Sequence, residues 1–70
     1  MDLRIRTWLI QDGEQWEPCP PVTYPDTGYP SVEAMRRELR RRFGGHTHIE
    51  DIPHGVRCTR GGEIQEVTLL

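Results

Sequence analysis

The sequence predicts a single small α+β domain over residues 1–70: one antiparallel sheet with a single helix packed on one face, in the order β-β-α-β-β-β. Three observations carry this reading. Leu3 to Ile10 alternates with period two and runs into Asp12-Gly13. Val32 to Phe43 has a helical apolar stripe with a stop signal at each end. The remaining chain is short β-prone runs broken by Pro-His-Gly and Gly-Gly.

The first run places Leu3, Ile5, Thr7 and Leu9 on one face and Arg4, Arg6, Trp8 and Ile10 on the other. Asp-Gly is the pair that a two-residue type I′ hairpin favours, because both central residues need positive φ. The register that follows sets Gln11 opposite Glu14 and Leu9 opposite Trp16, a cross-strand apolar pair worth up to about 1 kcal/mol.

Residues 18–30 read as a loop. Five of the six prolines fall here, at 18, 20, 21, 25 and 30. Each removes a backbone donor and fixes φ, which excludes a helix or a central strand. The expected form is a semi-rigid arm laid over the surface and anchored by Tyr24 and Tyr29.

Ser31 is a good N-cap and Gly44-Gly45 a good terminator, so Val32 to Phe43 reads as a helix of about three turns. Val32, Met35, Leu39 and Phe43 draw a narrow apolar stripe. Glu33 and Arg37, and Glu38 and Arg42, form favourable i, i+4 pairs. Three strands follow, His46 to Ile52, Val56 to Arg60 and Glu63 to Leu70. In the last, Ile64 belongs to one alternation and Val67 and Leu69 to the other.

The 70 residues are 34% hydrophobic and 29% charged, with mean hydropathy −0.70. A domain this small buries only about 60% of the surface its unfolded chain exposes, so a partner or a homodimer would add stability. The longest apolar run, Trp8-Leu9-Ile10, is far below the roughly 20 residues of a membrane helix. Without an apolar leader behind Met1, the chain is expected in the cytoplasm. Cys19 and Cys58 are then expected as reduced thiols.

All nine basic residues are arginine, against eleven acids. Five of them (Arg36, Arg37, Arg40, Arg41 and Arg42) lie between Ser31 and Phe43 against two glutamates, and the rest of the chain is acidic. At about 100° per residue, Arg36, Arg37, Arg40 and Arg41 cover about 140° of the helix, interrupted by Glu33. Such a face grips carboxylates or phosphates; the structural alternative is that it pairs with the chain's own acids. Arg4, Arg6 and Trp8 share the strand face opposite Leu3 and Ile5. That interleaving suits a protein interface or base stacking, or else Trp8 covers the sheet edge. His46, His48, His54 and Cys58, with Cys19, are residue types that bind zinc, but without the local CxxC or HxxxH clips that zinc sites use, no metal or cofactor is expected.

The expected function is a non-catalytic protein-binding module that docks on a larger protein with an acidic surface through Arg36, Arg37, Arg40 and Arg41, with Arg4, Arg6 and Trp8 as a second patch. By size, an inhibitor of a host defence complex encoded by a phage or mobile element, anti-CRISPR-like, is the setting considered. The alternatives are a small nucleic-acid-binding domain using the same arginines with Trp8, and a toxin-like ribonuclease using His48 or His54 with Arg57.

Overall fold

A computed structural model describes residues 1–25 and 27–70, with His46 described by its backbone alone. Asp26, within the proline-rich stretch, lies outside the described residues. The strands are β1 (Leu3–Gln11), β2 (Glu14–Trp16), β3 (Val22–Tyr24), β4 (His48–Ile52), β5 (Gly55–Arg60) and β6 (Glu63–Leu69). One helix, α1 (Val32–Phe43), stands between β3 and β4. They form one antiparallel sheet in the order β2-β1-β6-β5-β4, with β3 also on β1. The predicted α+β class with one helix on one sheet is what the chain adopts.

The hairpin has the expected register, Leu9 opposite Trp16 and Gln11 opposite Glu14. Asp12 and Gly13 have φ of 53° and 77°, as the turn requires. Helix α1 has the expected bounds, and Ser31 Oγ accepts from the Ala34 amide at 3.1 Å.

Three expectations need correction. The 18–30 arm is not loop throughout: Val22–Tyr24 pairs with the first third of β1 and adds a strand to the order. Proline excludes a central strand but not a three-residue edge strand between Pro21 and Pro25. The next strand begins at His48, because residues 44–46 form a 3₁₀ turn after the helix ends. Of the two expected anchors, Tyr29 packs on the core, while Tyr24 is 49% exposed.

The core is Met35 and Leu39 of α1 against Val56, Cys58, Val67 and Leu69, with Leu3, Ile5, Val32, Phe43 and Ile49 at its margin. Val67 and Leu69 therefore set the parity of β6, and Ile64 faces away from the helix. The helix lies over β5 and β6, so its face of the sheet remains uncovered toward β1, β2 and β3.

The β4–β5 turn places Pro53 second and His54 third, with His54 at φ 63°. A type II turn needs positive φ at that third residue and favours glycine there. Because left-handed backbone costs a side-chain-bearing residue about 1–2 kcal/mol, and glycine loses about 0.5–1 kcal/mol in chain entropy, His54→Gly should raise stability by about 0.5–1 kcal/mol. A urea midpoint no higher than that of wild type would refute it.

Candidate functional site: two uncovered faces of one sheet

The helix arginines do not form an unpaired cationic flank. Arg36 donates through Nε to Gly55 O at 3.1 Å and through Nη2 to Ile52 O at 2.8 Å, and pairs with Glu33 and Asp51. It latches α1 onto the β4–β5 turn. Arg40 reaches Asp51 at 2.6 Å, and Arg41 and Arg42 share Glu38 at 2.7 and 3.3 Å. The Arg41 hydrogen bond holds the Glu38 carboxyl below the usual range. Repulsion among like charges at i, i+1 and i, i+4 spacing is relieved by carboxylates of α1 and β4. Arg37 has no ion-pair partner among the described residues. The helix still carries more arginines than carboxylates, with the Arg41 and Arg42 side chains 72% and 65% exposed.

Arg4, Arg6 and Trp8 do share one face, the side of the sheet without a helix. The Arg6 guanidinium lies 4.7 Å from the Trp8 ring centroid. Arg6 pairs with Glu17 at 2.6 Å and stands opposite Glu66 in the β1–β6 register. Arg57 of β5 reaches Glu66 at 2.6 Å and Glu50 of β4 at 3.1 Å. The result is a row of alternating charge crossing the sheet: Glu17, Arg6, Glu66, Arg57, Glu50. Hydrogen bonds donated to these carboxylates raise the pKa values of Arg6 and Arg57 above the ordinary arginine value. One residue pair along, Trp8 stands opposite Ile64, and with Gln15, Arg57 and Glu66 they line a shallow concavity of about 290 Å³. Arg6 and Arg57 meet Glu17, Glu50 and Glu66 here, and with Arg4 on the same face the three arginines match the three glutamates in number.

The helix side of the sheet holds what sequence reasoning missed. Three cross-strand pairs line its uncovered half: Leu9 with Trp16, Ile5 with Val22, and Leu3 with Tyr24. Trp16 is 46% exposed, Val22 44% and Tyr24 49%. Each is paired to an apolar residue of β1, yet α1 does not reach over them. The signal for Trp16 was present, since the predicted register already placed it beside Leu9. Val22 and Tyr24 were hidden because β3 itself was not foreseen. Glu38 and Arg42 lie on the flank of α1 opposite Arg36 and Arg40, which bind the β4 side. That flank therefore borders the stripe.

The residue types considered for zinc are dispersed. Cys58 is buried on the helix side, its thiol pKa pushed up by burial, whereas the β4–β5 register puts His48 on the opposite face. Cys19 is a free, exposed thiol, and the His46 side chain lies outside the described residues. Among the described residues no cluster of three His, Cys, Asp or Glu groups could hold a metal ion. Arg57, the phosphate clamp of the ribonuclease alternative, is held by Glu66 and Glu50. No helix is long and apolar enough to cross a membrane among the described residues.

No family model, curated protein or solved structure matches the chain. The functional reading therefore rests on these two faces.

Proposed function

We infer that the chain is a non-catalytic protein-binding module, and that its contact surface is the stripe of Leu9–Trp16, Ile5–Val22 and Leu3–Tyr24 beside α1. The observation that carries this reading is the half-exposure of Trp16, Val22 and Tyr24 on adjacent strand ends. Contiguous apolar surface rimmed by charge marks interaction sites. Tryptophan, tyrosine and arginine dominate the energetics of such contacts. Arg42 lies on the flank of α1 turned toward the stripe, and Arg37, which has no ion-pair partner among the described residues, adds charge on the helix's outer side. The complementary partner is a larger protein that offers an apolar knob rimmed by carboxylates. Rim arginines of this kind speed encounter and set orientation more than they add affinity.

The setting we propose is that of a small inhibitor, of the kind phages and mobile elements direct against host complexes, which acts by covering a working surface of its target. Its support is the size of the chain together with the stripe. Nucleic acid is the weaker fit. Phosphate binding draws on excess positive charge, and on the helix-free face the arginines around Trp8 are balanced by glutamates.

The test is affinity capture from nuclease-treated host lysate with wild-type protein, Trp16→Glu and Arg37→Glu. Trp16→Glu should lose at least tenfold in captured partner, and Arg37→Glu should lose less, mainly at raised salt. Equal capture by wild type and Trp16→Glu would remove the stripe from the reading. Capture abolished by the nuclease would replace it with the nucleic-acid one.

A further inference from the structure

We propose that two copies of this chain pack sheet to sheet through their helix-free faces, related by a two-fold axis that runs along the strands between β1 and β6. This rests on a different surface from the stripe and is independent of it. The observation is the order of side chains across the sheet. Along the row Glu17, Arg6, Glu66, Arg57, Glu50 the sign of charge alternates at every step. Laying an alternating row on a reversed copy of itself, with the axis midway between two members, sets every inner charge on its opposite.

Placing the axis between β1 and β6 fixes the contacts. Arg6 meets Glu66 of the second copy and Glu66 meets its Arg6, while Glu17 and Arg57 meet in the same reciprocal way. The neighbouring rows agree with this register. Trp8 stands level with Ile64, and Arg4 with Thr68. In the pair Trp8 therefore covers Ile64 of the second copy, and Arg4 lies on its Thr68, with no like charges apposed. An axis through β6 itself would set Glu66 on Glu66. One between β6 and β5 would set Trp8 over His48 and Ile64 over Thr59, which loses the apolar contact.

The pairing has the regular geometry of a two-fold contact. It is isologous, as two-fold contacts are, and it stacks two twisted antiparallel sheets in the aligned manner. The axis apposes four strands, β2, β1, β6 and β5, and at about 3.4 Å per residue and about 4.8 Å between strands they offer about 400 Å² per copy and about 800 Å² for the pair, the size of a weak, concentration-dependent contact. None of the row charges is orphaned when water leaves, because each keeps its partner within its own chain. The helix-side stripe of each copy faces outward and remains available.

The experiment uses light scattering and sedimentation on the purified chain across the micromolar to sub-millimolar range. Wild type should move to twice the 8.2 kDa chain mass as concentration rises. Arg6→Glu and Glu66→Arg should each remain monomeric, since each apposes like charges twice. An equimolar mixture of the two should recover the double mass, because Glu at 6 then meets Arg at 66 in one contact and the native pair forms in the other. Should either variant lose its circular dichroism, Thr68→Arg, which sets an arginine on Arg4 of the second copy, should abolish the dimer with the fold intact. Monomeric wild type at every concentration overturns the proposal. So does a dimer that survives the folded single variants, or a mixture of folded variants that fails to recover it.

Discussion

Gly55→Ala is expected to remove most of the folding stability of this domain. Gly55 opens β5 directly after the strained turn at His54, and there β5 lies unusually close to β6. A Cβ built at this position would sit 1.9 Å from the Val67 carbonyl oxygen and within 3 Å of two further backbone atoms of β6. Backbone cannot swing aside as a side-chain end does, so β5 and β6 must separate where the ladder is anchored. The Gly55 carbonyl also accepts from Arg36, and the adjacent Leu69 amide donates to His54 O at 2.9 Å. Displacement of the β5 start therefore loosens the helix latch and the β6 end together. Overpacking typically costs about 1–3 kcal/mol and more where the opposing atoms are backbone, so about 3 kcal/mol or more is expected here. A 70-residue domain holds only about 3.5–10 kcal/mol in all. Thermal unfolding followed by circular dichroism checks it, with Gly45→Ala as the control, whose added methyl meets nothing within 4 Å. A Gly55→Ala melt superimposable on wild type would refute the close approach.

The second large effect is expected from Met35→Ala. Met35 is fully buried, and it fills the space between α1 and the strand residues Val56, Val67 and Leu69. Among the described residues only six form the buried core, so the loss of one of its two fully buried side chains removes a large share of its contacts. Truncation should cost about 2–5 kcal/mol. Urea denaturation gives the number, and Met35→Leu, which conserves volume, should cost under about 1.5 kcal/mol. Equal midpoints for Met35→Ala and wild type would mean that the helix contributes little to the fold. The lean core also bears on function, since 70 residues that bury so little gain from any partner that covers the remaining apolar stripe.

The elements with local causes were legible in the chain. Asp12-Gly13 dictates positive φ at both turn positions, and that alone sets the β1–β2 register. Ser31 and Gly44 bound α1 because one supplies an acceptor to free amides and the other ends the hydrogen-bond ladder. Each depends on residues within a few positions of one another, which is the range over which sequence patterns report.

What was hidden depends on residues distant in the chain. Val22–Tyr24 is β-prone in composition, but three residues between two prolines are too few to mark a strand, and they become one because β1 offers them an edge. The fate of the arginines was hidden for the same reason. Counting showed a basic segment in an acidic chain, and both a free cationic face and an internally paired one were open. Asp51 lies eleven residues beyond Arg40 and reaches it only through the packing of α1 on β5 beside β4. The alternating row from Glu17 to Glu50 likewise draws its members from β1, β4, β5, β6 and the segment after β2.

The amino-acid order by itself determined the class of the fold, the hairpin register, the helix bounds and the shared face of Arg4, Arg6 and Trp8, because each follows from backbone geometry over a few residues. Tertiary structure alone decided which charges meet and which apolar side chains stay in water. Those outcomes depend on where the single helix lands, and it lands over β5 and β6, which leaves Trp16, Val22 and Tyr24 uncovered.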